Sequence, residues 1–562
     1  MTVTYVGNRK LTKELLIEQL VDSPPAVVAI DVETISLEER QPLGFAIAIS
    51  PTESWWFSTY PEVTPEVELI ERSILMNPQV KKVFHNAPFD LRALPLVIDI
   101  DRSNIADTNV MARLNGEIET SLAILAPILG KIAESAGDML GPGKTMLDLD
   151  PEVVADKCGN DARITLALYW HFLPSIDQAY FAVEMESIPI LIDMSLRGLR
   201  FSETDRQALE DKLEDEVAIY RRACEEEDFN PGSNQQVGYM LAKRGVFLPL
   251  TRSRKNLRVD VDTLEFLDDP IAALVLNYRR ANKLLTTYII PLAGKSRIYT
   301  EYNLDAVVGR ISSSKMNMQN IPGANSPTGT NARDIFMPDS GVFTTGDFSQ
   351  EHLRIIAYVS QDREMLRVYA EPPTLPDGSR NPDGDIHTKT ARELGIGRPL
   401  ARTINYAIPY GATAKAISIN AKIRDIKRCS SFLDKWFETY RDAGEWIRGA
   451  QTEGMRTGWA LPTLFGRRIR VPEQWTKYDT LDKEGMKRKC INYPILGSDG
   501  EIMKRALILS NTRGLGPPTM AITVHDSITW DGDVIDRVPR EELEHLSPLH
   551  IPFELKQTVR WE

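Results

Sequence analysis

Asp31 and Glu33 follow the apolar run Ala26–Ile30, and at the two-residue period of a strand both carboxylates fall on one face. Two acids that close repel each other unless a cation lies between them, which points to hard divalent metal ions. Asp90 follows a second apolar run, Val83-Phe84, and Asp161 opens the helical pattern Ile164–Leu168. Far downstream, Asp347 ends the run Thr344-Thr345-Gly346, and Asp526 sits at the tip of a hairpin between Ala521–Val524 and Ile528–Trp530. Two acids about 180 residues apart, each presented at a strand edge, suit phosphoryl transfer at a two-metal site.

Between that second pair lies a different chemistry. Arg398, Arg402, Tyr406 and Tyr410 recur every four residues, so on a helix they form one slowly drifting stripe. Two guanidiniums followed by two phenols suit a triphosphate at one end and a base at the other. From Arg398 to Arg428 there are seven Lys or Arg against one Asp, a basic face that a solvated helix would also present. Pro409 falls inside the stripe and removes the hydrogen bond to the Asn405 carbonyl, which predicts a bend just before Tyr410.

The elements that must position these residues are those of several domains. At roughly 150 residues per domain, 562 residues give three or four. A hydrophobic content of 42% with 26% charged residues is that of a globular chain able to bury several cores. The first 190 residues alternate short apolar runs with helical patterns, as an α/β domain does, and Phe45–Ile49 is expected to pair beside the first strand. Glu203 to Asp228 reads as a long charged helix with Leu209, Leu213, Val217 and Tyr220 on one face, and Pro270 to Tyr288 as a second helix. Beyond Tyr299 sheet-like runs are split by a helical middle.

Lys plus Arg is 66 and Asp plus Glu is 79, a net charge of −13 that argues against a chain coating nucleic acid nonspecifically. It leaves room for a basic cleft in an acidic body. The four cysteines, Cys158, Cys224, Cys429 and Cys490, have the spacing of neither a zinc site nor a disulfide framework. No apolar run approaches the ~18 residues that span a bilayer, and the start lacks a signal-peptide core, so a cytoplasmic location without membrane attachment is expected.

The order of these motifs carries a resemblance. Asp31-Val32-Glu33, then Asn86 to Phe89-Asp90, then Asp161 resembles the DEDD 3′–5′ proofreading exonucleases. The run Asp347-Phe348-Ser349-Gln350 to Arg354, the stripe from Arg398 to Gly411, and His525-Asp526-Ser527 resemble motifs A, B and C of the family A DNA polymerases, the bacterial DNA polymerase I type. Gly309-Arg310-Ile311 with Asn317 to Pro322, Asp385-Ile386-His387, and Arg488, Asn492 and Pro494 are similar to further segments of that family.

The resemblance implies an RNase H-like α/β exonuclease domain and an α+β right-hand polymerase. Its boundaries would be 1–190 for the exonuclease, 191–305 for a helical thumb, 306–375 and 497–562 for the two parts of the palm, and 376–496 for the fingers. It implies two Mg²⁺ on Asp31, Glu33, Asp90 and Asp161, and two more on Asp347, Asp526 and the Phe348 carbonyl, with Mn²⁺ able to substitute. Gln350, His387, Arg398 and Arg402 would grip phosphates of a dNTP, and Arg402 would stabilise the leaving group rather than give up its proton. Tyr406 and Tyr410 would lie beside sugar, base and template, with His352 at the position that screens the sugar. Arg310, Asn317, Gln319, Asn320, Arg488, Asn492 and His525 would touch primer–template DNA, mostly at phosphates. The expected molecule is a monomer whose replisome or processivity partners the sequence does not name.

Departures from the family pattern bear on both activities. The exonuclease family places a Tyr four residues, or a His five residues, before its last Asp; here those positions hold Lys157 and Asp156. Arg402 replaces a Lys, His352 a Glu, Ser527 the Glu of motif C, and Leu496 a Gln near the primer end. The chain opens on the exonuclease-like segment, so a 5′ nuclease is not expected, and the pattern is more like a bacteriophage replicative enzyme, acting in host cytoplasm, than a bacterial repair enzyme. The rival readings are an exonuclease-dominant repair protein, a catalytically silent DNA-binding relative, and an RNA polymerase of similar build.

Overall fold

A computed structural model of the chain describes residues 3–6, 18–251, 255–323, 330–372, 374–377, 379–475 and 480–561. It divides into two compact units, Met1–Asp193 with Tyr302–Ser312, and Met194–Glu301 with Ser313–Glu562. Among the described residues no helix is long and apolar enough to cross a membrane.

In the first unit, β-branched and apolar residues build strands β1 (Val3–Val6), β2 (Val27–Thr34), β3 (Pro42–Ser50), β4 (Glu53–Ser58), β5 (Lys81–Phe84) and β6 (Ile105–Asp107). They form one sheet in the order β1-β4-β3-β2-β5-β6. β2 runs antiparallel to β3, with Ile30 opposite Ile47, and parallel to β5. Because β3 supplies ladder partners as far as Pro42, β2 continues to Thr34, and Asp31 and Glu33 lie inside the strand instead of beyond its end.

Helix α1 (Ala87–Ala93) follows β5 and carries Asp90. Helix α2 (Pro151–Phe172) packs across β2, β3 and β4. Asp161 therefore lies in the middle of a helix, not at its start as its local sequence suggests. The start is set earlier, where the Asp150 carboxylate accepts from the Glu152 N–H and Pro151 occupies the first turn. The buried positions Val154, Cys158, Asp161, Thr165 and Phe172 then form one stripe facing the sheet.

In the second unit, α3 (Glu203–Glu226) and α4 (Pro270–Leu284) pack on each other. Leu213 and Val217 are buried in their shared core, while Leu209 and Tyr220 lie half-buried at its edge. The same core extends to Phe343, Ile522 and Val524 of a four-stranded antiparallel sheet. Its strands are β7 (Phe343–Phe348), β8 (Met520–Val524), β9 (Ser527–Asp531) and β10 (Phe553–Thr558), in the order β8-β9-β7-β10.

Helices fill the interval between β7 and β8. They include α5 (Glu351–Ser360), α6 (Ile386–Leu394), α7 (Arg398–Ala407), α8 (Ile426–Thr439) and α9 (Lys483–Ser510). α7 ends where the sequence predicts only a bend. Pro409 has no N–H to offer, and the chain closes by bonds from Gly411 N to Ile408 O and from Ala412 N to Ala407 O. Gly411 takes φ +79, which closes the turn without the strain a side chain would bring.

Candidate active sites

In the first unit β2 presents Asp31 and Glu33, α1 presents Asp90, and α2 presents Asp161, Lys157 and Cys158. Oxygens of Asp31 and Glu33 and the Cys158 Sγ lie within 4.8 Å of one another, a group close enough to hold an ion. Burial pushes the Asp31 carboxyl well above the usual range, and the charges of Asp161 and Glu33 add to it. Asp90 is raised likewise by burial and then by Asp31. Glu33 and Asp161 are raised by burial, against the pull of Lys157.

The Cys158 thiol is held protonated by burial and donates to the Asp31 carbonyl at 3.2 Å, so the oxygen atoms are the usable ligands. A hard divalent cation fits this donor set. Asp161 Oδ1 is buried with no hydrogen-bond partner, a lone pair that a cation would satisfy.

Lys157 stands one helical turn before Asp161. Its Nζ lies 2.5 Å from Glu33 Oε1 and 2.9 Å from Asp161 Oδ2. Asp107, which the sequence pattern did not single out, sets where Asp90 sits. It accepts from the N–H groups of Asn86 (3.0 Å), Ala87 (2.8 Å) and Asn109 (2.8 Å), and so fixes the start of α1. Asn86 has the left-handed φ of 74 that this entry into α1 needs.

In the second unit Asp347 lies on β7 with Ser527 of β9 on one side and Glu554 of β10 on the other. Asp526 and His525 form the two-residue turn between β8 and β9, with His525 at φ 56. The Phe348 N–H donates to the Asp526 carbonyl at 3.0 Å, which locks the turn onto β7. Loss of solvation pushes Asp347 up to about 7, helped by the Asp526 and Glu554 charges. Its side chain still reaches solvent. Asp526 is raised by burial and then by Asp499 of α9. Neighbouring acids, one raised by the charge of the other, suit a shared divalent cation.

Around them, Gln350 sits at the left-handed φ of 55 that turns β7 into α5, and its Oε1 accepts from Tyr369 at 3.3 Å. His352 Nδ1 lies 2.6 Å from the Tyr410 hydroxyl, and its Nε2 lies 3.6 Å from Asp499. Arg398 is paired with Asp385 at 2.8 Å, and Asp385 also caps α6 through the His387 and Thr388 N–H groups. The Arg402 guanidinium lies 6.0 Å from the Tyr406 ring centre, and His387 tilts against the same ring at 5.7 Å.

Arg488 of α9 lies against the end of α7, where a Cβ on Gly411 would come within 3.0 Å of its Cγ. Met318 is buried in the core beside β8, holding Gln319 and Asn320 there, while Asn317 Oδ1 accepts from Ser313. Arg310 falls in the first unit.

Residues 200–551 match DNA polymerase family A, and residues 7–177 match the 3′–5′ exonuclease family.

The chain belongs to DNA polymerase family A.

It is similar to the thermostable DNA polymerase I of Thermus filiformis, 28% identical over 79% of the chain and 57% of that protein. DNA polymerase I of Chloroflexus aurantiacus is 28% identical over 94% of the chain and 59% of its own length. The chain thus spans less than two thirds of these relatives. Among solved structures, the polymerase domain of Pol1 from M. smegmatis, in complex with DNA primer-template and dNTP, matches with a TM-score of 0.77. The identity is 21%, and 95% of each chain is covered.

Within this family A chain, Asn405, to which its local sequence gives no role, ties α6, α7 and α8 together. Asn405, 1% exposed, lies on the inner face of α7. Its Oδ1 accepts from Trp436 Nε1 and Thr390 Oγ1, both at 3.0 Å, and its Nδ2 lies 3.1 Å from His387 Nδ1. An indole N–H can only donate, so it fixes which end of the amide is oxygen. The amide NH₂ then faces Nδ1, which must accept, and the His387 proton resides on Nε2. Burial holds that imidazole down to about 4, so it stays neutral. Asp499 also escapes the sequence pattern; its signal is the set of polar residues Ser498, Asp499 and Glu501 on a helix segment that is buried.

Proposed function

We propose that the chain is a template-directed DNA polymerase with a 3′–5′ proofreading exonuclease, using Mg²⁺ at both centres. The observation that carries this is Asp347 and Asp526 held together on β7 and the β8–β9 turn, with Tyr406 of α7 close enough to feel both charges and Arg402 beside that ring. Residues 1–190 would be the exonuclease, 191–305 the thumb, 306–375 with 497–562 the palm, and 376–496 the fingers.

Bound there, divalent cations would lower the pKa of the attacking hydroxyl or water and neutralise charge on the departing oxygen. Asp347, Asp526 and the Phe348 carbonyl would hold them in the palm, and Asp31, Glu33, Asp90 and Asp161 in the exonuclease. Arg398, held in place by Asp385, and exposed Arg402 supply fixed positive charge for a triphosphate. His387 offers an Nε2–H donor to the same phosphates, and Gln350 lies at the mouth of α5 beside them. Tyr406 provides a flat face for the incoming sugar and base. The His352–Tyr410 pair closes the side on which a 2′-hydroxyl would project. Arg310, Asn317, Gln319, Asn320, Arg488, Asn492 and His525 would contact primer–template.

A gel assay on a 5′-labelled primer–template with Mg²⁺, with and without dNTPs, tests the reading. Asp347→Ala should lose extension and keep primer shortening, and Asp31→Ala should do the reverse. Shortening without extension in the unmodified chain would refute the polymerase assignment, and binding without either activity would leave a silent DNA-binding relative.

A further inference from the structure

Lys157 is placed by its helix. Residues four apart on α2 share a face, so the position before Asp161 by one turn points at the same carboxylates of β2. Its ammonium lies between Glu33 and Asp161, at 2.5 and 2.9 Å, and all three side chains are nearly shut off from water, at 12, 9 and 7% exposure. Four acids, Asp31, Glu33, Asp90 and Asp161, converge here, three of them buried from water, so their negative charges lie close together with little solvent to screen them. The cluster therefore demands positive charge. Lys157 supplies one unit, its ammonium held between the Glu33 and Asp161 oxygens.

A divalent cation ligated by the same two oxygens would have the ammonium at contact distance. Like charges at that spacing in a poorly solvated site repel strongly. A lysine has four rotatable bonds and a stem that can carry its head to solvent, so the conflict is resolved by movement of the side chain.

We propose that Lys157 is the resident cation of the exonuclease centre, bridging Glu33 and Asp161 so that a divalent cation enters only as the ammonium leaves. Lys157 is a positioning residue that sets the metal demand of the centre. The inference rests on reading the four acids as the exonuclease site. Its consequence is an exonuclease centre that loads metal more weakly than its carboxylates alone would allow, with the acids held together while metal is absent.

The test is Mn²⁺ binding to the full chain, followed by the EPR signal of free Mn²⁺. It is done in an Asp347→Ala, Asp526→Ala background that removes the palm acids. Lys157→Gln should bind at least about tenfold tighter at the exonuclease centre than Lys157, and adding Asp31→Ala should abolish that gain. Lys157→Arg keeps the charge and should bind as weakly as Lys157. In a thermal melt Lys157→Gln should lose stability in EDTA and gain more from Mn²⁺ than the parent does.

Equal Mn²⁺ affinity for Lys157 and Lys157→Gln would overturn the proposal, as would tighter binding by Lys157→Arg. If Lys157→Gln does not fold, Lys157→Met serves, with the same expectation. Primer shortening is scored separately. Tighter metal binding with no shortening by any variant would support the role of Lys157 and refute the exonuclease reading; shortening with equal affinities would do the opposite.

Discussion

Replacing Asn405 with Ala tests whether the inner face of α7 sets the tautomer of His387 on α6. The substitution removes the acceptor of the Trp436 indole N–H and the donor to His387 Nδ1, both buried. Thr390 loses one partner but retains the Ile386 carbonyl and the Tyr440 hydroxyl, so it is not orphaned. Two buried polar groups are left unpaired at about 1–3 kcal/mol each, which gives a loss of about 2–6 kcal/mol. The functional consequence is separate. With Nδ1 no longer held as an acceptor, the His387 proton is free to leave Nε2, and the KM for dNTP should rise. Urea unfolding measures the first effect, and primer extension at varied dNTP the second. Long-range ¹H–¹⁵N NMR on histidine-labelled protein reads the tautomer directly. A loss below about 1 kcal/mol with unchanged KM, or a parent His387 protonated on Nδ1, would refute the reasoning.

Two further outcomes follow from packing and charge. A methyl at Gly346 would lie 2.1 Å from Phe553 Cε1 and 2.2 Å from Cζ, so Gly346→Ala must displace this buried ring. Overpacking of this kind costs about 1–3 kcal/mol and should reduce extension while sparing primer shortening; equal damage to both activities would count against it. In EDTA the raised carboxyls of the exonuclease cluster destabilise the folded state only where they are ionised there or in the unfolded chain. That penalty is absent below the ordinary carboxylate range near pH 4, and grows as pH rises toward the raised values. The melting temperature of Asp31→Asn relative to the parent should therefore climb between pH 5 and 8 in EDTA, and a flat difference would refute it.

The sequence alone determined which residues offer chemistry in this chain. Acids after apolar runs, an Arg–Tyr stripe at helical spacing and a His-Asp hairpin tip are local patterns, readable because strand and helix periods are short. Periodicity also revealed α3 and α4, whose apolar residues recur on one face. Local pattern misled where a partner strand or a distant cap decides the outcome. Asp31 and Glu33 lie inside β2 because β3 extends beside them, and Asp161 lies in mid-helix because Asp150 begins α2 eleven residues earlier. Tertiary structure alone decided that Lys157 fills the gap between Glu33 and Asp161, that Asp107 pins Asp90, and that Asn405 assigns the proton of His387. Each of these depends on which polar atoms meet across elements far apart in the chain, and burial compels such atoms to find partners that no local spacing reveals.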